Sequence, residues 1–135
     1  MMSAETLSRP DFVWLVGSLC QVNRLPFDAA LLLQRFPAPH SSRQLIDALQ
    51  SMGFRTGEGT LARAALPCIA FLKGETPRAA LVVKSDGDAL LCFEAGNPAP
   101  QTRLRADFEP QALLVRHEQA PKIEGDEAAS RSFGL

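Results

Sequence analysis

From Phe12 to Val22 the chain is apolar almost without interruption, in the run "DFVWLVGSLCQVN". Coiled at helical period, such a run has no polar face to offer water, which predicts a central, buried helix with Asp11 placed to cap it. A second helix is predicted in "LPFDAALLLQRFP", entered at Pro26 and stopped before Pro37, with Phe27, Ala30, Leu31, Leu33 and Gln34 along its stripe. The third is the clearest. In "HSSRQLIDALQSMGF", Ser41 or Ser42 is an N-cap, Leu45, Ile46, Leu49 and Met52 recur at helical spacing, and Gly53 is the stop.

Beyond Gly53 the period changes. "TLARAAL" fits a single helical turn, and "PCIAFLK", "RAALVVK" and "ALLCFEA" are short apolar runs of strand length. They are divided by Gly74–Pro77 and by Asp86–Gly87, so the region Ser85–Asp88 closes a hairpin. "QTRLRADF" alternates polar and apolar residues, and "ALLVRHE" supplies one more buried strand. The expectation is an α+β fold: a helical lobe of about three helices packed on an antiparallel sheet of about five strands. Residues 1–9 read as a disordered lead, 10–118 as the folded domain, and 119–135, poor in apolar residues and without period, as a linker.

Composition narrows the function classes. With 135 residues and 46% hydrophobic content the chain has one domain's worth of core. A net charge of −1 without a basic run lacks the electrostatic footprint of phosphate-backbone binding, so no nucleic-acid partner is expected. The longest apolar run falls well short of the roughly 20 residues that cross a bilayer, and the N-terminus lacks a basic segment followed by an apolar one. No membrane insertion by this chain is expected, and three unpaired cysteines within apolar runs, Cys20, Cys68 and Cys92, suit reduced thiols in a cytoplasmic setting.

Candidate chemistry does not converge. A cysteine nucleophile needs an imidazole within reach and a site favouring the thiolate, commonly a helix N-terminus. Cys20 lies late in its helix beside Val16 and Leu19, and Cys68 and Cys92 sit in strand runs, so all three read as core packing. His40, at a helix entrance, and His117, after the last strand, read as solvated residues or caps. No HExxH, glycine-rich phosphate loop, GxSxG or CxxC occurs, and the glycines of "RTGEGT" are wrongly placed for a nucleotide. Asp86 and Asp88 flank a turn glycine and fit turn chemistry better than calcium binding. Neither a metal nor a cofactor is expected.

Five strings, in this order, carry a resemblance: "PDFVWLVGSLCQVNRLPFDAALLLQRF", "SSRQLIDALQSMGF", "LPCIAFLKG", "ALVVKSDGDALLCFE" and "LLVRHE". Together they resemble the peptidase-like N-terminal domain of type I secretion ABC transporters, over residues from about 10 to 118. The resemblance implies a papain-like fold, and implies that "RSFGL" leads toward the membrane-spanning helices of a longer transporter. Cleaving relatives use a cysteine at the start of the central helix, a histidine on a strand and an aspartate on the next strand. By position these fall at Asp11 or Phe12, at Ala79 or Ala80, and at Glu94. Without nucleophile and base such a triad does not operate, so the resemblance is to the non-cleaving branch.

That branch implies a cytoplasmic domain, at the bacterial inner membrane, that engages an unfolded secretion substrate beside the rest of its transporter. Aromatic anchors and sheet-edge hydrogen bonds can hold an extended chain without catalysis. Phe12, Trp14, Phe71 and Phe93 fall at the expected walls of the vestigial cleft. Two further readings stand beside it: a domain for another transporter component or a regulator, and a peptidase using Cys20.

Overall fold

A computed structural model describes residues 6–75 and 78–117. The chain opens with β1 (Thr6–Leu7) and α1 (Arg9–Val22), followed by α2 (Ala29–Arg35), β2 (His40–Ser41) and α3 (Ser42–Ser51). Six strands follow: β3 (Phe54–Thr60), β4 (Cys68–Leu72), β5 (Arg78–Asp86), β6 (Ala89–Glu94), β7 (Asn97–Leu104) and β8 (Phe108–His117). They form one antiparallel sheet in the order β3-β8-β4-β5-β6-β7, while β1 and β2 pair separately. Short 3₁₀ turns at Leu61–Arg63 and Arg105–Asp107 connect strands, the first where "TLARAAL" suggests a helical turn.

The three helices arise from identifiable signals. Ser8, not Asp11, caps α1: its side chain accepts from the Asp11 amide, and Pro10 occupies the first turn, where a missing N–H costs nothing. Asp28 caps α2 by accepting from the amides of Ala30 and Leu31 at 2.9 and 3.2 Å. The cap fixes the direction of this short helix, and Leu32 turns inward while Leu31 stays exposed. The inward position is therefore one residue on from the Leu31 that the sequence pattern suggested. Ser41 caps α3, and Gly53, at φ +93°, ends it in a conformation that favours glycine. Gly17 serves close packing instead: a β-carbon there would stand 2.9 Å from the Phe27 ring.

Two expectations change. Thr6–Arg9, assigned to the unstructured lead, form β1 and the start of α1, with Leu7 buried and paired with His40. "FRTGEGT" is the sixth strand, β3, held by β8 over the register Phe54↔His117 to Thr60↔Gln111. Its glycines and polar residues give no apolar alternation, so its pairing comes from the partner. The linker assigned to residues 119–135 lies outside the described residues.

Period-two alternation divides the core into two layers. Ile69, Ala79, Leu81 and Leu113 face the helices and pack with Phe12, Leu15, Val16, Leu19, Leu45 and Leu49. Cys68, Ala70, Ala80, Val82, Cys92 and Ala112 face the other way and are covered by Leu61, Phe108 and Leu66.

Candidate functional site

The N-terminal turn of α1 meets the sheet at β5. Asp11, only 5% exposed, accepts a hydrogen bond at its Oδ2 from the Ala79 amide at 3.1 Å. Helix start and strand, separated by most of the helical half, are joined by a carboxylate and a backbone N–H. Phe71 lies directly across from Ala79, and Ile69 across from Leu81, which in turn pairs with Phe93. Directly paired residues share a face, so Phe71, Ala79, Leu81 and Phe93 all present to the helix side. Trp14 follows Asp11 by one helical turn and, like Phe71, is half-buried against the helix-side core.

Phe12 does not belong to this surface. It is fully buried, and its ring stacks on His40 with centroids 4.3 Å apart and planes 9° apart. Its place is inside the helical lobe, whereas Trp14, Phe71 and Phe93 each keep partly exposed area.

Ala80 and Glu94 occupy the opposite face. They are direct partners across β5 and β6, and Ala80 belongs to the far-side core. The Glu94 side chain pairs with Arg103 of β7 and with Arg78, 3.3 Å away, and stands 3.9 Å from the Cys92 thiol. The Arg103 guanidinium, through its hydrogen bonds, holds the Glu94 carboxyl below the usual carboxylate range. The structure thus brings Asp11 and Ala79 together and sets Glu94 apart, across the thickness of the sheet.

The thiols and imidazoles lie elsewhere. All three cysteines are buried, in keeping with core packing. Burial raises the Cys20 pKa and pushes Cys68 up to about 11; Cys92 also reaches about 11, with the Glu94 charge adding to burial. Each change opposes formation of a nucleophilic thiolate. Cys20 Sγ contacts Met52 Sδ at 3.6 Å, while His117 Nε2 lies 3.1 Å from the Met52 carbonyl oxygen. Thiol and imidazole therefore meet the same residue at different atoms.

Both histidines differ from the solvated residues that the sequence suggested. His40 is 2% exposed, because β1 pairs over it and Phe12 stacks on it, and its Nδ1 lies 2.7 Å from Gln44 Oε1. His117 is also buried, edge-on to Phe54 at 4.8 Å between centroids. The missed signal for His40 is tertiary: the pairing of Thr6–Leu7 and the stacked Phe12 ring enclose it. Gly87 and Asp88 form the hairpin turn, one residue on from the Asp86–Gly87 pair that the sequence suggested; Asp86 ends β5 opposite Ala89, and Asp88 pairs with Arg105 at 2.6 Å. Among the described residues no cluster of three metal-ligating side chains occurs, and no helix is long and apolar enough to cross a membrane. An open groove of about 320 Å³ beside α2, lined by Phe27, Leu31, Phe36 and Met52 among others, shares no residue with the α1–β5 junction.

No protein-family model matches this sequence, and no curated protein matches it. Solved structures do. The chain is similar to the peptidase domain of Streptococcus ComA, described as a bifunctional ABC transporter involved in a quorum-sensing pathway, with a TM-score of 0.68. Identity is 12%, over 85% of this chain and 96% of that one. It is also similar to the N-terminal peptidase C39-like domain of a toxin secretion ATP-binding protein from Vibrio parahaemolyticus, with a TM-score of 0.56 and 14% identity, over 86% of this chain and all of that one. The chain therefore has the fold of the C39-like peptidase domains, the architecture that its five strings resemble.

Proposed function

We propose that this chain is a non-catalytic domain of a type I secretion ABC transporter that binds the unfolded secretion substrate on the cytoplasmic side of the bacterial inner membrane. The observation that carries the reading is the α1–β5 junction. Where the resemblance places nucleophile and base, Asp11 accepts from the Ala79 backbone, and neither side chain can play the missing role. The fold of transporter-borne peptidase domains supplies the context.

Binding needs less than cleavage does. Trp14, Phe71 and Phe93 offer partly exposed aromatic surface near the junction, suited to apolar side chains that an unfolded chain shows and a folded one hides. A buried thiol such as Cys20, with its pKa raised, does not support the peptidase reading.

Trp14 is the sole tryptophan, so its fluorescence reports on this site. The test titrates the chain with reduced, carboxymethylated ribonuclease A, which cannot fold and contributes no tryptophan. Saturable change in Trp14 emission with the unfolded probe, and none with native ribonuclease A, is expected. Equal response to both forms, or response to neither, contradicts the reading.

A further inference from the structure

The two edges of the six-stranded sheet are built differently. β7, one edge, presents few free donors. Pro98 and Pro100 have no N–H, the Ala99 amide donates to Asn97 Oδ1 at 3.1 Å, and the Leu104 amide donates to Asp107 Oδ2 at 3.1 Å. Prolines and local side-chain capping are common ways of blunting an edge against strand addition.

β3, the other edge, has none of these devices. Its single strand neighbour is β8, and no proline occurs in "FRTGEGT". In an antiparallel pair every second residue turns both its N–H and C=O away from the partner, so the stretch Thr56–Thr60 carries an outward row of backbone groups. Among the described residues no backbone hydrogen bond outside the β3–β8 ladder reaches it. The stretch is also open to approach. Gly57 and Glu58 are exposed, and a β-carbon placed on Gly57 meets no atom within 4 Å.

We propose that the outer edge of β3 is a strand-addition site for an extended segment of the unfolded secretion substrate, recognised through its backbone. The inference rests on the cargo-binding reading and adds a place and a mode. Alternating donors and acceptors at strand spacing fit an extended chain and nothing smaller. Backbone pairing is also what different cargo sequences have in common. β7 is blunted against such pairing and β3 is not, so β3 is the edge on which an added strand meets fewer obstacles.

The test follows amide hydrogen exchange and chemical shifts of the ¹⁵N-labelled chain on addition of reduced, carboxymethylated ribonuclease A. Slowed exchange in Thr56–Thr60, with β7 unchanged, is expected. Gly57→Pro and Glu58→Pro are compared, because adjacent residues point opposite ways and one of them removes an outward donor. That variant should keep the native amide spectrum and bind about tenfold more weakly, the effect of losing one or two hydrogen bonds. Its partner interrupts the β8 ladder and serves as the folding control. If both variants lose the native spectrum, the exchange pattern of the unsubstituted chain alone decides. Probe-induced changes at Trp14, Phe71 and Phe93 without protection at β3 overturn the edge proposal and leave cargo binding intact. Absence of any response overturns both. Protection of β3 that rises with protein concentration in the absence of probe assigns the edge to a second copy of this chain, and also overturns the proposal.

Discussion

Ala79 and Ala80 are neighbours in the chain, yet they stand on opposite sides of the sheet with different company. Ala79 faces the helices, its amide held by Asp11, amid apolar and aromatic residues. Ala80 faces the far side, directly across from Glu94 and its two arginines. The helix side joins helix and strand through the Asp11 carboxylate and the Ala79 amide, with apolar and partly exposed aromatic side chains around them. The far side holds charges, but spends them on one another, tying β5, β6 and β7 together. Side chains on opposite faces of a sheet do not act together at one site, however close they are in the chain.

The contrast can be broken by substitution. The largest expected effect is at the helix-side core: Phe12→Ala removes a fully buried ring and should destabilise the chain by about 3–5 kcal/mol in denaturant unfolding. Next comes the far side. Glu94→Ala leaves Arg103 and Arg78 unpaired, but both are partly exposed, so the loss should fall below that of a fully buried pair, at about 2 kcal/mol. This contribution depends on pH. The folded carboxyl titrates below its unfolded value, so the stabilisation is complete above about pH 4.5 and fades as pH falls through the lowered folded pKa. The stability difference between the unsubstituted chain and Glu94→Gln, followed by urea unfolding from pH 7 to pH 3, should shrink at the acid end.

A smaller effect is expected at the junction. Asp11→Ala leaves the Ala79 amide without its acceptor and should cost about 1–2 kcal/mol, part of which Asp11→Asn should restore, since an amide oxygen can still accept. Smallest in stability is Trp14→Ala, at about 1 kcal/mol for a half-buried side chain, yet it should weaken binding of the unfolded probe more than Glu94→Gln does. Equal losses of binding from the two would erase the distinction between the faces.

Much of the fold is legible in the sequence, because its signals are local. Ser41, the Leu45–Leu49 spacing and Gly53 define α3, and Gly87, with Asp88, makes the β5–β6 turn. β3 is hidden because a strand with Gly57 and Gly59 owes its pairing to β8 rather than to its own pattern. The site is legible in part for the same reason. The sequence brings Asp11 and Ala79 into consideration, but the face of Glu94 depends on strand register and the burial of His40 depends on the β1–β2 pair. A one-residue step in register moves a side chain to the other face of a sheet, and no local pattern around Glu94 fixes that step.

The central claim is that the helix-side surface binds unfolded polypeptide while the far side serves stability. An amide chemical-shift map of the ¹⁵N-labelled chain with reduced, carboxymethylated ribonuclease A tests it most directly. Shifts centred on Asp11, Trp14, Phe71, Ala79 and Phe93, with Cys92, Glu94 and Arg103 unmoved, are the predicted result. Shifts centred on the Glu94 cluster, or none up to millimolar probe, would contradict it.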